Sequence, residues 1–250
     1  MNMTTHSQEP LVQAKGIIKK FGGFTALNNV DLVIHPGERL GLIGPNGSGK
    51  STLVNCISGM LKTDSGNVIL QGKDITLMSP HERVHAGIAR SFQIPKPFKS
   101  MTVLENVKVV IEFSGKLRSD PNDHRSYDEK ALAILQSVGL QNKADAISSG
   151  LTQVELRKLE LARAMSANPQ LLIADEALAG LSGAEVDEIL ALIMSMKEKG
   201  ISVLMIEHIM SAVMQFSERL MVLVAGTKVA DGNPQDVINN PDVIKAYLGE

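Results

Sequence analysis

The hydrophobic positions of this chain follow two rhythms. RLGLIG (39–44), LLIADE (171–176) and ISVLMIEH (201–208) are apolar almost throughout. Their length and lack of alternation are those of strands buried on both faces. In STLVNCISGML (51–61) and EKALAILQSVGL (129–140) apolar residues return at helical spacing instead. Residues 11–42 carry short apolar or alternating runs broken by the turn signals FGG, NN and HPGE, which predicts two or three short strands ending in RLGLIG. VILQGKDI (68–75) predicts another strand pair with QGKD as its turn. From about residue 94 the pattern changes. PKPFKSMTVLENVKVV opens on two prolines, SGKLRSDPNDHRSYDE is polar and loop-like, and a helix follows. This block predicts a helical insertion in an α/β core. Residues 1 to about 10 predict a flexible leader.

Composition narrows the choice of class. The 250 residues carry 25 Lys and Arg against 27 Asp and Glu, a net charge of −2, which gives no electrostatic case for a nucleic-acid coat or an anionic membrane surface. The single cysteine, Cys56, has apolar neighbours and is expected to be a packed core thiol in a reducing compartment. MNMTTHSQEP lacks the apolar centre of a signal peptide. No uncharged apolar run approaches the roughly 18 residues of a membrane span.

The candidate chemistry begins with GPNGSGKST, Gly44, Pro45, Asn46, Gly47, Ser48, Gly49, Lys50, Ser51 and Thr52, which fits G-x-x-x-x-G-K-[ST] between a predicted strand and a predicted helix. Glycines let the backbone wrap a phosphate, and loop amides at a helix N-terminus face the anion. Lys50 places a charge on the outer phosphates, and Ser51 offers an oxygen to Mg2+. The motif points to nucleotide binding and leaves kinase, GTPase and ATPase open. Asp175 and Glu176 end a buried strand, where an acid can hold Mg2+ through water and its neighbour can polarise a water, a role worth about 10² to 10⁴ in rate. The plain alternative is two surface acids. His208 ends a second such strand, either as an exposed histidine or as a donor to a γ-phosphate. Gln93 stands at a further strand end, as a loop glutamine or as a contact to Mg2+ and water.

Together, in this order, Lys50, Gln93, the stretch 151–165, Asp175–Glu176 and His208 resemble an ATP-binding-cassette (ABC) ATPase over residues 11–250. Phe21, in KKFGGFTAL, matches that family's adenine-stacking aromatic; its alternative is a core Phe, the place expected of Phe24. RSFQIPKPFKSMTVLENV and GNPQDVINNPDVIKAYLGE are similar to ATPase subunits of branched-chain amino-acid importers. The resemblance implies a P-loop NTPase fold with a mixed sheet, an N-terminal antiparallel β subdomain and an inserted helical subdomain. It implies a core of about 11–93 and 166–250 with helices at about 94–165. It implies ATP and Mg2+, a second ATPase subunit (the same or a paralogous chain), two membrane-spanning permease subunits and, indirectly, an external solute-binding protein. The place implied is the cytoplasmic face of the plasma (inner) membrane, and no nucleic acid is implied. The rivals are a soluble ABC ATPase of DNA repair or translation and a regulatory subunit of low turnover.

In this family the signature helix, starting Leu-Ser-Gly-Gly-Gln, acts on ATP held by the opposite subunit. Leu151-Thr152-Gln153-Val154-Glu155 occupies its place. Thr152 keeps a hydroxyl for that role in trans, and Thr152 with Glu155 reads as a capping box. Both glycines are gone, so Gln153 and Val154 are expected to crowd the approach to phosphate, and Glu155 adds negative charge. Ala177 replaces the proline usual after the acidic pair, and Ile209 stands where related importers often have Asp.

Overall fold

The computed structural model describes residues 9–91, 95–114 and 123–248. The N-terminal region forms β1 (Val12–Phe21) and β2 (Phe24–Ile34), longer than the short strands expected, followed by β3 (Arg39–Ile43). β4 (Ser65–Leu70) and β5 (Lys73–Asp74) are the predicted hairpin, with the turn at Gln71–Gly72. β1, β2, β4 and β5 build one antiparallel sheet in the order β2-β1-β4-β5, and β3 belongs to a second sheet. Phe24 is 63% exposed at the tip of the β1–β2 hairpin, so it is not the core residue expected; the core faces of that sheet are supplied by Ile17, Leu27, Val30 and Leu32 instead.

The second sheet adds β6 (Ile88–Ser91), β7 (Leu171–Asp175), β8 (Ser202–Ile206), β9 (Arg219–Val224) and β10 (Thr227–Gly232), in the order β10-β9-β3-β8-β7-β6. β9, β3, β8, β7 and β6 run parallel, and β10 pairs antiparallel with β9. Every residue of β7 and β8 is buried, as continuous apolar runs require of strands covered on both faces. Helix α1 (Lys50–Ser58) fills the space between the two sheets through Leu53, Val54, Cys56 and Ile57. Burying each such side chain is worth about 1.5–3 kcal/mol. Cys56 lies wholly in this core, where burial pushes its thiol up to about 11. The opposite face of the parallel sheet is covered by α6 (Gly183–Ser195) and α7 (Met210–Phe216). Helix α2 (Pro80–Ala86) precedes β6, and α8 (Pro234–Ile238) and α9 (Pro241–Leu248) close the C-terminus.

Helices α3 (Val103–Ser114), α4 (Tyr127–Ser137) and α5 (Gln153–Ser166) pack on one another around Val103, Val107, Leu135 and Leu159, a core of their own. Buried Asn106 fastens the chain that enters this block. Its carboxamide oxygen accepts the Phe98 amide at 2.8 Å, and its Nδ2 donates to the Phe98 and Thr102 carbonyls. Among the described residues no helix is long and apolar enough to cross a membrane.

Candidate active site

Because the central strands are parallel, their C-terminal ends share one edge of the sheet, where open α/β sheets place ligands. β3 delivers the phosphate loop there, β7 delivers Asp175 and Glu176, and β8 delivers Glu207 and His208.

The loop's shape depends on glycine at its entry. Gly44 has φ +154°, and a Cβ there would lie 2.1 Å from the Leu223 carbonyl oxygen, so no other residue lets the loop leave β3 on this path. The loop then turns through the Ser48 amide on the Pro45 carbonyl and enters α1 at Gly49. Among the described residues no side chain caps the α1 N-terminus and no acid sits in its first turn, so its amides keep their positive end toward an anion. Lys50 arches over the loop, with Nζ donating to the Gly44 carbonyl at 2.6 Å and the Pro45 carbonyl at 3.0 Å. Burial lowers its pKa below the ordinary lysine value, while Glu176 and Asp175 pull the other way. The acidic pair thus favours the charged form of Lys50. A phosphate cradle with an oxygen donor at Ser51 and a carboxylate at Asp175 fits a nucleotide with a hard cation that keeps part of its water.

Asp175 is 8% exposed, and its Oδ2 receives Arg90 at 2.6 Å. Arg90 also donates to Asn55 Oδ1 at 2.6 Å, so one guanidinium ties the acid to the first helix after the loop. Glu176 adopts φ +48°, a sparsely populated conformation for a non-glycine residue and a common form of strain at reacting sites. Its amide is held by the Ile206 carbonyl at 2.9 Å, which carries it beside the β8 end. His208 presents a ring whose side chain is 70% exposed. Glu207, by contrast, is buried. Its Oε1 accepts the Leu178 amide at 2.8 Å, and burial raises its pKa above the ordinary carboxylate value, against the pull of the Leu178 amide and His208.

Phe21 is half-exposed at the hairpin tip, with Lys19 Nζ 5.6 Å from its ring centre. The same hairpin reaches the phosphate loop lower down, since a Cβ on Gly49 would lie 2.7 Å from the Ala26 carbonyl. Gln93 lies outside the described residues.

At the start of α5 the expected capping box forms in full. The Thr152 amide donates to Glu155 Oε2 at 2.9 Å and the Glu155 amide donates to Thr152 Oγ1 at 3.4 Å, an arrangement typically worth about 1 kcal/mol. Lys143 binds the same carboxylate at 2.6 Å and, with the Thr152 amide, holds Glu155 below the usual carboxylate range. The negative charge expected of Glu155 is therefore matched on the spot. Val154 is half-buried against the apolar core that α6 shares. Gln153 lies over the loop that follows Glu176. Gly180 there has φ +78°, and a Cβ on it would fall 2.5 Å from Gln153 Nε2, so the large side chain occupies room that a glycine leaves.

Arg90 and Glu207 escaped the sequence reasoning. Their only signal is a charge set in or at the end of a short apolar strand. Tyr247 escaped it too. From α9 its hydroxyl meets the Gly44 backbone, and burial raises its pKa.

A nucleotide cradle, an acidic strand end and a second strand end beside it, on a mixed sheet with a helical block, define an ATP-binding cassette. The family model for ABC transporters matches residues 27–179, and the chain belongs to that family, the ABC ATPases that drive transporters. A second model, described as a branched-chain amino acid ATP-binding cassette transporter, matches residues 227–250. The chain is 38% identical to the high-affinity branched-chain amino acid transport ATP-binding protein LivG of Escherichia coli K12, over 97% of this chain and 99% of LivG. The ADP conformation of MJ1267, an ATP-binding cassette of an ABC transporter, superposes with a TM-score of 0.85 at 34% identity, covering 97% of this chain and all of MJ1267. The dimeric post-hydrolysis structure of the cassette MJ0796, bound to ADP and Pi, superposes with a TM-score of 0.77 at 26% identity, covering 89% of this chain and 98% of that one.

Proposed function

We propose that this ATPase powers a membrane importer for branched-chain amino acids or similar small polar solutes. The observation that carries the proposal is the likeness to LivG along almost the whole of both chains, joined by the matching C-terminal segment 227–250. The chain would divide into a core of about 11–93 and 166–250 and a helical part of about 94–165 that relays motion to two membrane-spanning subunits at the cytoplasmic face of the membrane. A solute-binding protein outside the membrane would deliver the cargo.

In this proposal Lys50 and the amides of Gly44–Thr52 bind the phosphates of ATP, and Phe21 stacks on its adenine. Ser51, Asp175 and Gln93 would serve Mg2+, which neutralises phosphate oxygens when bound. Glu176 takes the proton of the attacking water, and His208 donates toward the γ-phosphate. Thr152 acts on ATP held by a second copy or a paralogous chain, as the dimer of MJ0796 suggests for cassettes of this fold. The completed cap, the Lys143–Glu155 pair and the inward turn of Val154 favour a working signature surface over a degenerate one.

Purification with the native membrane partners tests the proposal. Co-isolation with two permease subunits, and ATP hydrolysis stimulated by a solute-binding protein loaded with leucine, isoleucine or valine, is the expected result. Isolation with nucleic acid, or stimulation only by unrelated solutes, would contradict it.

A further inference from the structure

Glu207 uses half of its carboxylate. Oε1 accepts the Leu178 amide, in the loop that follows Glu176. Oε2 is buried and makes no hydrogen bond of good geometry among the described residues, although the His208 backbone amide lies close enough to the carboxylate to pull its pKa down. An amide side chain would serve Leu178 as well as a carboxylate does. The second oxygen needs another account, because a buried carboxylate oxygen without a donor is costly, and the negative Glu176 nearby makes it more so. The group facing it is the imidazole of His208, whose Nδ1 stands 3.8 Å away while the ring lies largely in solvent. That distance is about 0.6 Å beyond the ordinary range of an N–H···O hydrogen bond. A small rotation of an exposed ring closes it.

We propose that Glu207 is a positioning residue for His208: its buried Oε2 accepts the Nδ1 proton when the ring turns from solvent toward the phosphate loop. The inference rests on the γ-phosphate role given to His208 above. A carboxylate on one ring nitrogen fixes both the plane of an imidazole and the placement of its protons, leaving Nε2 to meet the partner on the other side. The same carboxylate holds the Leu178 amide, so the loop behind Glu176 and the ring of His208 take their positions from one buried group. This gives the buried Glu207 a use that packing alone does not.

Two measurements test the pair in the full chain. The first is a double-mutant cycle on ATP hydrolysis, using Glu207→Gln, which keeps an acceptor for Leu178. His208→Ala is expected to lower kcat roughly a hundredfold and Glu207→Gln roughly tenfold, with ATP affinity kept in both. The double variant should match His208→Ala alone. Losses that multiply would show that Glu207 acts independently of His208 and overturn the proposal. The second is NMR of 15N-histidine-labelled protein saturated with a non-hydrolysable ATP analogue. An exchange-protected Nδ1–H signal for His208, lost in Glu207→Gln, is the expected result. Its absence from the wild type, or its survival in the variant, overturns the Glu207 contact while leaving the His208 role standing. Full kcat in His208→Ala ends the His208 role and this inference with it.

Discussion

At the scale of single residues, two buried charges explain how the reacting edge is held. Arg90 and Asp175 meet at 2.6 Å with little solvent around either side chain, and Arg90 also grips Asn55. Removing one partner of such a pair strands the other. Arg90→Met should therefore lower unfolding stability by roughly 3 kcal/mol in urea denaturation, and a loss well below that would mean that Asp175 is solvated. Glu207 makes a second, pH-dependent prediction. Its carboxyl binds protons more tightly in the folded chain than in the unfolded one, because burial raises its pKa. The folded state then holds the extra proton between the ordinary carboxylate value and the raised one, and stability falls as pH climbs through that window. Glu207→Gln removes this dependence. The melting temperature of the variant relative to the wild type should rise as pH climbs above the ordinary carboxylate range, and a difference that stays constant with pH would count against the burial argument. Neither residue carries a sequence motif. Phe24 shows the converse: an aromatic in a strand pattern suggests a core position, yet the hairpin tip leaves it in solvent.

At the scale of elements, the start of α5 shows where the departures from the family pattern are seated. The T-x-x-E spacing was legible as a cap because both partners lie within one turn. The fate of Gln153 and Val154 was not, because it depends on what packs against the helix. Val154 turns to the core, and Gln153 settles over Gly180. Replacing both by Gly should leave steady-state hydrolysis within about twofold if the intact Thr152–Glu155 cap carries the helix start's role, whereas a several-fold rise would show an impaired signature. Gly180→Ala is the harsher change. It imposes a left-handed backbone on alanine, costing about 1 kcal/mol or more, and expels the Gln153 amide from its place. Thermal denaturation of that variant, alone and with Gln153→Gly, measures the coupling: the second substitution should recover part of the loss by removing the clash.

At the scale of the whole molecule, the phosphate loop, held between two sheets, makes nucleotide binding and folding one linked equilibrium. A ligand at a hundredfold excess over its Kd stabilises the native state by about 2.7 kcal/mol, which is several degrees of melting temperature for a chain of this size. ATP should raise the melting temperature of the wild type by that amount, and Lys50→Ala should abolish the rise; an undiminished shift would contradict the role of the lysine.

The sequence by itself determined what is written in contiguous residues. The phosphate loop, the buried strands that lead to Asp175 and His208, and the capped start of α5 each follow from spacing within a single element, where backbone conformation and side-chain period are local properties. Only the tertiary structure decided which strand ends become neighbours, and with that the grip of Arg90 on Asp175, the seat of Leu178 on Glu207, the rest of Gln153 over Gly180 and the contact of Tyr247 with Gly44. The physical reason is the strand order β3-β8-β7-β6, which places residues far apart in the chain within reach of a hydrogen bond, and no periodicity along one strand encodes its neighbour.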